Sequence, residues 1–121
     1  MEYAPGCLSI TEVQRAVARA FGLTVHQMLS RARPRRIAQA RQAAMYLCRH
    51  LADAGWLGRR RLAGSYPRIA RAFARDHSSV IHACNAVARR RLYDLELACR
   101  LDELACELAR SPAPAASIHA A

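Results

Sequence analysis

Two short helices with a tight break between them are predicted by residues 66–84, which read YPRIARAFARDHSSVIHAC. Ser65 stands before the first helix and Asp76 before the second, and both residue types are preferred caps of helix N-termini. Apolar residues recur at helical spacing in each half. Helices over 66–73 and 77–90 with so short a connection are typical of a helix-turn-helix.

The pattern is helical on both sides of this pair. Thr11 is expected to cap a first helix that ends at Gly22. Thr24 and Gln27 have the spacing of a capping box at the start of a short helix, and a long helix follows it. A last helix is expected from about Asp94, with a core-facing stripe formed by Leu97, Leu101, Leu104 and Leu108. The predicted fold is all-α, a small helical bundle with a helix-turn-helix.

A length of 121 residues favours one domain. We expect this domain over residues 11–110, after a flexible N-terminus of residues 1–10 and before a disordered tail of residues 111–121. Residues 55–64, which include Trp56, form a glycine-flanked basic segment that is expected to be a loop. No apolar run reaches the ~18–20 residues of a membrane-spanning helix, so no membrane-spanning segment is expected.

The charge is strongly basic and unevenly distributed. All 19 basic residues are arginines, and the net charge is +10. Residues 13–91 contain 17 of these arginines against Asp53 and Asp76, whereas residues 92–121 contain two arginines against five acids. Such a basic body indicates a polyanionic partner, with nucleic acid as the first interpretation and an anionic membrane surface as the second. The arginine-rich segments lack the bulky apolar anchors of a membrane-surface helix, so no membrane partner is expected.

Catalytic and metal chemistry find little support in the residues. Asp76, His77 and Ser78 are the residue types of a hydrolase triad, but successive helical side chains point about 100° apart and cannot line up. His77, His82 and Cys84 lack the spacing and the fourth ligand of a zinc site. No phosphate-binding glycine motif is present, so we expect no enzyme activity, cofactor, metal or nucleotide.

The five cysteines include no C-x-x-C pair, and no leader for secretion is evident. We expect them to be reduced, as in a cytosolic protein. The four that lie in helical apolar patterns, and are therefore expected to be buried, are Cys48, Cys84, Cys99 and Cys106.

The string RDHSSV at residues 75–80, followed by HAC at 82–84, resembles the signature of the C-terminal DNA-binding domain of DnaA, the bacterial chromosomal replication initiator. The stretch IAQARQAAMYL at 37–47 is similar to the same family, and the resemblance covers about residues 11–109. It implies a Trp-repressor-like helix-turn-helix that binds double-stranded DNA at AT-rich sites similar to DnaA boxes. The recognition helix is then expected in the major groove and the basic loop in the minor groove.

The resemblance also assigns roles to individual residues. For base readout it implies Arg33 in the minor groove, together with Asp76, His77, Ser78 and Ser79 in the major groove. For DNA backbone contacts it implies Arg31, Arg41, Gln42, Arg49 and His82. The family more often has threonine where this chain has Ser78 and Ser79, which removes two methyl groups that could contact thymine.

The ATPase module of the family has no counterpart in this sequence. We therefore expect a stand-alone DNA-binding domain whose partner is double-stranded DNA and which binds no nucleotide. It is expected to act as a monomer in the cytoplasm, at the nucleoid. It would regulate replication initiation or transcription, in competition with the full-length initiator. The alternative is a nonspecific nucleoid-associated protein that binds DNA through charge alone. The last helix could also pair with a second copy.

Overall fold

Helices make up nearly all of the regular structure. The computed structural model describes residues 7–32, 34–52, 61–62 and 65–110. Within these ranges the helices are α1 Ile10–Ala20, α2 Val25–Leu29, α3 Arg35–Ala52, α4 Tyr66–Phe73, α5 His77–Arg90 and α6 Leu95–Arg110. The predicted all-α bundle with a helix-turn-helix is confirmed.

A two-residue ladder is added to the helices. Strand β1, Cys7–Leu8, pairs in parallel with strand β2, Arg61–Leu62. Residues 61–62 therefore depart from the plain loop expected over 55–64, because their backbone bonds to the segment before α1. Trp56 and the tail of residues 111–121 lie outside the described residues.

Helix α1 begins earlier than the pattern predicts. The Ser9 hydroxyl accepts a hydrogen bond from the Glu12 N–H (3.1 Å), and the Glu12 carboxylate accepts one from the Ser9 N–H (3.0 Å). This reciprocal capping box satisfies two N–H groups that have no partner within the helix. Thr11, the expected cap, lies inside the first turn instead. Ser9 therefore caps α1, and Leu8 before it is buried.

Helix α3 is the central element and contacts the other five helices. Its buried face combines small alanines with larger side chains. The buried residues are Ala40, Ala43, Ala44, Met45, Leu47, Cys48 and Leu51. Alanines allow neighbouring helix axes to approach closely, and the leucines fill the space between them. Both helices of the helix-turn-helix are thereby packed on one scaffold.

The turn between α4 and α5 takes three residues. Ile69 and Phe73 of α4 are fully buried, and Ala74 adopts the left-handed conformation at φ 56°. The Arg75 N–H donates to the Ala70 carbonyl (2.9 Å), which closes the end of α4. Asp76 then caps α5. The predicted bounds of 66–73 and 77–90 for the two helices are confirmed.

Helix α6 covers α1 and α3 with its leucine stripe. The predicted core residues Leu97, Leu101, Leu104 and Leu108 are all buried. Cys99 and Cys106 are exposed, so the expectation that both are buried is wrong, whereas Cys48 and Cys84 are buried as predicted. Cys99 and Cys106 lie on the face of α6 opposite to the stripe. None of the described helices combines the length and apolar character needed to cross a membrane.

Candidate nucleic-acid interface

The start of α5 presents polar side chains to solvent. Asp76, His77, Ser78 and Ser79 are all exposed, and Val80 is the first buried residue of the helix. The first N–H groups of a helix lack intrahelical acceptors and carry the positive end of its dipole. Among the described residues, neither the His77 nor the Ser78 side chain has a hydrogen-bond partner. This end of α5 can therefore donate and accept hydrogen bonds with an external ligand.

Asp76 and Ser79 are bonded to each other. The Asp76 carboxylate accepts from the Ser79 hydroxyl (2.7 Å) and from the Ser79 N–H (3.2 Å). These two bonds, the hydroxyl first, hold the pKa of the Asp76 carboxyl below its ordinary value. The remaining acceptor capacity of both side chains faces outward, whereas the hydroxyl proton of Ser79 is already in use.

Arg41 reaches from α3 to the end of α2. Its Nη1 donates to the carbonyls of Ser30 (2.8 Å) and Met28 (3.2 Å). Burial, and then the nearby charges of Arg75 and Arg31, lower the pKa of the Arg41 guanidinium. Arg41 therefore anchors the loop between α2 and α3, and its other N–H groups remain for an external acceptor.

Arg75 joins the same cluster, although sequence reasoning assigned it no role. Its Nη1 donates to the carbonyls of Phe73 (3.1 Å) and Ala74 (3.3 Å), and its Nη2 donates to the Ser30 carbonyl (3.2 Å). Its position directly before the Asp76 cap was visible in the sequence. The distant acceptor, 45 residues away, was not.

Arg49 lies two helical turns beyond Arg41 on α3, about 12 Å along the axis. Its guanidinium stacks over the Tyr66 ring at 4.6 Å from the centroid, next to the start of α4. Such stacking occupies the face of the guanidinium and leaves its edge N–H groups available. Arg49 is thus held in place by a contact that does not neutralise it.

The other predicted site residues are placed as follows. Arg31 and His82 are exposed, and Gln42 is half-buried on α3. His82 follows Ser78 by four residues on α5, so the two share one face of the helix. Arg33 lies outside the described residues. The structure thus brings Arg31, Arg41 and Arg75 together beside the turn, while Arg49 lies apart with Tyr66.

No metal centre is formed in the described ranges, since no three His, Cys, Asp or Glu side chains there lie close enough to share an ion. Cys84 is buried, and burial raises the pKa of its thiol to about 11. Its Sγ lies 3.7 Å from the Met45 carbonyl, in the contact between α3 and α5. Cys84 therefore belongs to the core that supports α5.

Comparison with known proteins identifies the family to which this arrangement of helices belongs. Residues 10–87 match the profile of the family described as "Bacterial dnaA protein helix-turn-helix". The chain belongs to this family. Membership in the DnaA helix-turn-helix family implies DNA binding linked to replication initiation, and it fits the pairing of α4 with α5.

Individual relatives agree with the family match. The "Chromosomal replication initiator protein DnaA" of Sphingopyxis alaskensis is 42% identical over 91 residues, which cover 74% of this chain and 18% of the relative. The DnaA of Lactobacillus delbrueckii subsp. bulgaricus is 36% identical over 98 residues, covering 80% and 19%. The chain therefore spans less than one fifth of these DnaA proteins.

A solved structure is also similar to this chain. It is described as "Crystal structure of DNA replication initiation factor", and it is 31% identical with a TM-score of 0.65. The similarity covers 83% of this chain and 29% of that one. The similarity is in accord with a small all-α helix-turn-helix domain.

Proposed function

We propose that this protein binds double-stranded DNA sequence-specifically, at AT-rich sites similar to DnaA boxes. The start of α5 enters the major groove, and the loop between α2 and α3 enters the minor groove. The observation that carries this proposal is the exposed pair His77 and Ser78, whose side chains have no hydrogen-bond partner among the described residues, beside the arginine cluster of Arg31, Arg41 and Arg75. Hydrogen-bonding groups at the start of a helix can read base edges, and the arginines supply contacts to phosphates.

Specific roles follow from the two kinds of contact. Asp76, His77, Ser78 and Ser79 read bases in the major groove, and Arg33 reads the minor groove, whose narrow AT-rich form attracts arginine. The backbone contacts are assigned to Arg31, Arg41, Gln42, Arg49 and His82. The bond between Asp76 and Ser79 supports this division, because it orients both oxygens at the tip of α5 before DNA arrives.

The biological role proposed here is regulation of replication initiation or transcription at the nucleoid, as a monomer that competes with full-length DnaA. The family match supports the link to initiation. Increasing amounts of this protein should release a full-length initiator from a labelled box duplex. A shared binding site would be contradicted if an unlabelled scrambled duplex prevented this release as efficiently as an unlabelled box duplex does.

The direct test measures binding to one DnaA-box duplex and one scrambled duplex of equal composition, by fluorescence anisotropy across a range of salt. Specific readout should give a preference of about 10³ or more for the box. Equal binding that falls steeply with salt would instead support the nonspecific nucleoid protein. That second candidate is favoured by the net charge of +10 alone.

A histidine pair sharpens the test. His77→Ala should weaken box binding by about 1–3 kcal/mol and leave scrambled DNA almost unaffected. His26→Ala removes another exposed histidine, on α2, and should change neither affinity. Direct readout by His77 is excluded if its alanine variant weakens both duplexes to the same extent.

A further inference from the structure

We propose that Arg75 is a positioning residue that holds the α2–α3 loop at a set distance from the start of α5. The loop and the helix would then meet the two grooves of one DNA site together. This inference rests on the proposed function, since it concerns how that site is assembled. It gives Arg75 a task distinct from contact with DNA.

The bonds of Arg75 span the two elements. On one side its guanidinium donates to Phe73 and Ala74, the residues that end α4 and form the turn. On the other side it donates to Ser30, the residue that ends α2. Arg75 is half-buried and directly precedes the cap of α5. One planar side chain therefore connects the loop with the turn that aims the recognition helix.

The Ser30 end of this connection is itself well defined. The Ser30 hydroxyl donates to the Gln27 carbonyl (2.7 Å) and accepts from the Ala32 N–H (3.2 Å). The Ser30 carbonyl accepts from Arg41 as well as from Arg75, which uses both lone pairs of the oxygen. Movement of Ser30 would break bonds to both arginines, so the start of the loop follows the turn.

Two guanidinium groups at one carbonyl carry an electrostatic cost. Arg41 and Arg75 repel each other, and Arg31 adds a third positive charge. Among the described residues, no carboxylate pairs with Arg41 or Arg75. One arginine would satisfy the carbonyl without this repulsion. We infer that the second donor, Arg75, fixes the geometry of the loop. DNA phosphates would relieve the repulsion between the arginines on binding.

Substitution of Arg75 by lysine tests the geometry of the side chain separately from its charge. A guanidinium is a rigid fork with five donors, whereas an ammonium is a compact charge on a flexible stem. Arg75→Lys keeps the positive charge but cannot bridge three carbonyls in one plane. Arg15→Lys, on the exposed face of α1, is the matched control, since Arg15 has no place in the proposed interface.

The experiment compares three box duplexes that differ in the AT-rich segment facing the loop: A·T pairs, G·C pairs and inosine·C pairs. Inosine·C lacks the minor-groove amino group of guanine while keeping a G·C-like major groove. The wild type and Arg15→Lys should bind inosine·C about tenfold more tightly than G·C, within the range of a base-pair substitution. For Arg75→Lys this ratio should fall to about one, while its penalty for base changes facing α5 stays unchanged.

Removal of the loop arginine provides a second criterion. In an Arg33→Ala background, Arg75→Lys should have no further effect on the inosine ratio, because the positioned group is gone. Arg75→Gln, which retains a shorter donor, should behave as Arg75→Lys does, and circular dichroism verifies that both variants are folded.

The outcomes separate this inference from the proposed function. If the wild type shows no preference for box over scrambled DNA, the proposed function fails and this inference fails with it. If box preference is present but Arg75→Lys weakens every duplex equally, Arg75 is a phosphate contact and only the positioning role is overturned. An unchanged inosine ratio in folded Arg75→Lys overturns it as well.

Discussion

Arginines beside the turn and Arg91 at the end of α5 are held by different kinds of partner. Beside the turn, Arg41 and Arg75 donate to backbone carbonyls. At the end of α5, Arg91 donates to the Asp102 carboxylate of α6 (2.7 Å) and to the Tyr46 hydroxyl (2.9 Å).

The difference matters because a carbonyl satisfies a donor without cancelling its charge, whereas a carboxylate does both. The arginines near the turn therefore keep a positive potential that extends into solvent. Helix α6 begins beyond the far end of α5, about 21 Å from His77 along that helix. It carries exposed acids, namely Glu96, Asp102, Glu103 and Glu107. The surface beside the turn is thus suited to an anionic ligand, whereas the acidic exposed face of α6 is not.

The largest expected effect tests whether the two regions share one core. Phe73→Ala removes a fully buried ring beneath the turn, and Leu101→Ala removes a buried side chain beneath α6. Cavities of this kind cost about 2–5 kcal/mol, so each variant should lower the free energy of unfolding by that amount. Urea denaturation should show a single transition for both variants. Two separate transitions would mean that the regions unfold independently.

A smaller effect of opposite sign is expected at the turn. Ala74 has φ 56°, a left-handed conformation that costs a residue with a Cβ about 1–2 kcal/mol. Ala74→Gly relieves this cost but makes the unfolded chain more flexible by about 0.4–1 kcal/mol. Ala74→Gly should therefore raise the free energy of unfolding, measured by thermal denaturation, by roughly 0.5–1 kcal/mol. Ala72→Gly, at an exposed position of α4, should destabilise the fold instead, and equal effects of both changes would contradict the strain at Ala74.

The ion pair between Arg91, at the end of α5, and Asp102 of α6 should contribute less to stability than the buried core residues do. The side chain of Asp102 is 62% exposed and that of Arg91 is 23% exposed, so solvent screens their attraction. Asp102→Asn should lower stability by about 0–1 kcal/mol. DNA affinity should rise slightly at low salt, because one negative charge is lost far from the turn. A large loss of box binding in this variant would show that α6 is not separate from the interface.

The smallest effect at neutral pH is expected at Asp76. Asn is as good a cap as Asp, so Asp76→Asn should leave stability near pH 7 almost unchanged. The lowered pKa of the Asp76 carboxyl stabilises the fold above the pKa of the unfolded chain, and this contribution is lost as pH falls through the folded value. Acid titration by NMR should place the midpoint of Asp76 below that of an unfolded peptide. An unshifted midpoint would show that the hydrogen bond between Asp76 and Ser79 does not form in solution.

Local features of the chain were predictable from short-range patterns. Thr24 with Gln27 and Asp76 with Ser79 are capping pairs three residues apart, and both form as hydrogen bonds. Thr11 was the wrong cap because Ser9, two residues earlier, forms a reciprocal capping box with Glu12. Spacing within a turn identifies a helix end to within a few residues, and competition between neighbouring polar residues decides the rest.

Longer-range features were not predictable in the same way. Cys99 and Cys106 stand in an apolar-looking helix, yet they are exposed because the leucines of α6 occupy the face toward α1 and α3. Arg75 was read as part of a motif, but its bond to Ser30 depends on how α2 packs beside the turn.

The sequence by itself thus determined the helices, the caps of α2, α4 and α5, and the turn, because each depends on residues within one or two helical turns. Only the tertiary structure decided which arginines are held by carbonyls and which are neutralised. A guanidinium can reach many acceptors of similar strength, and the packing of helices far apart in sequence selects among them.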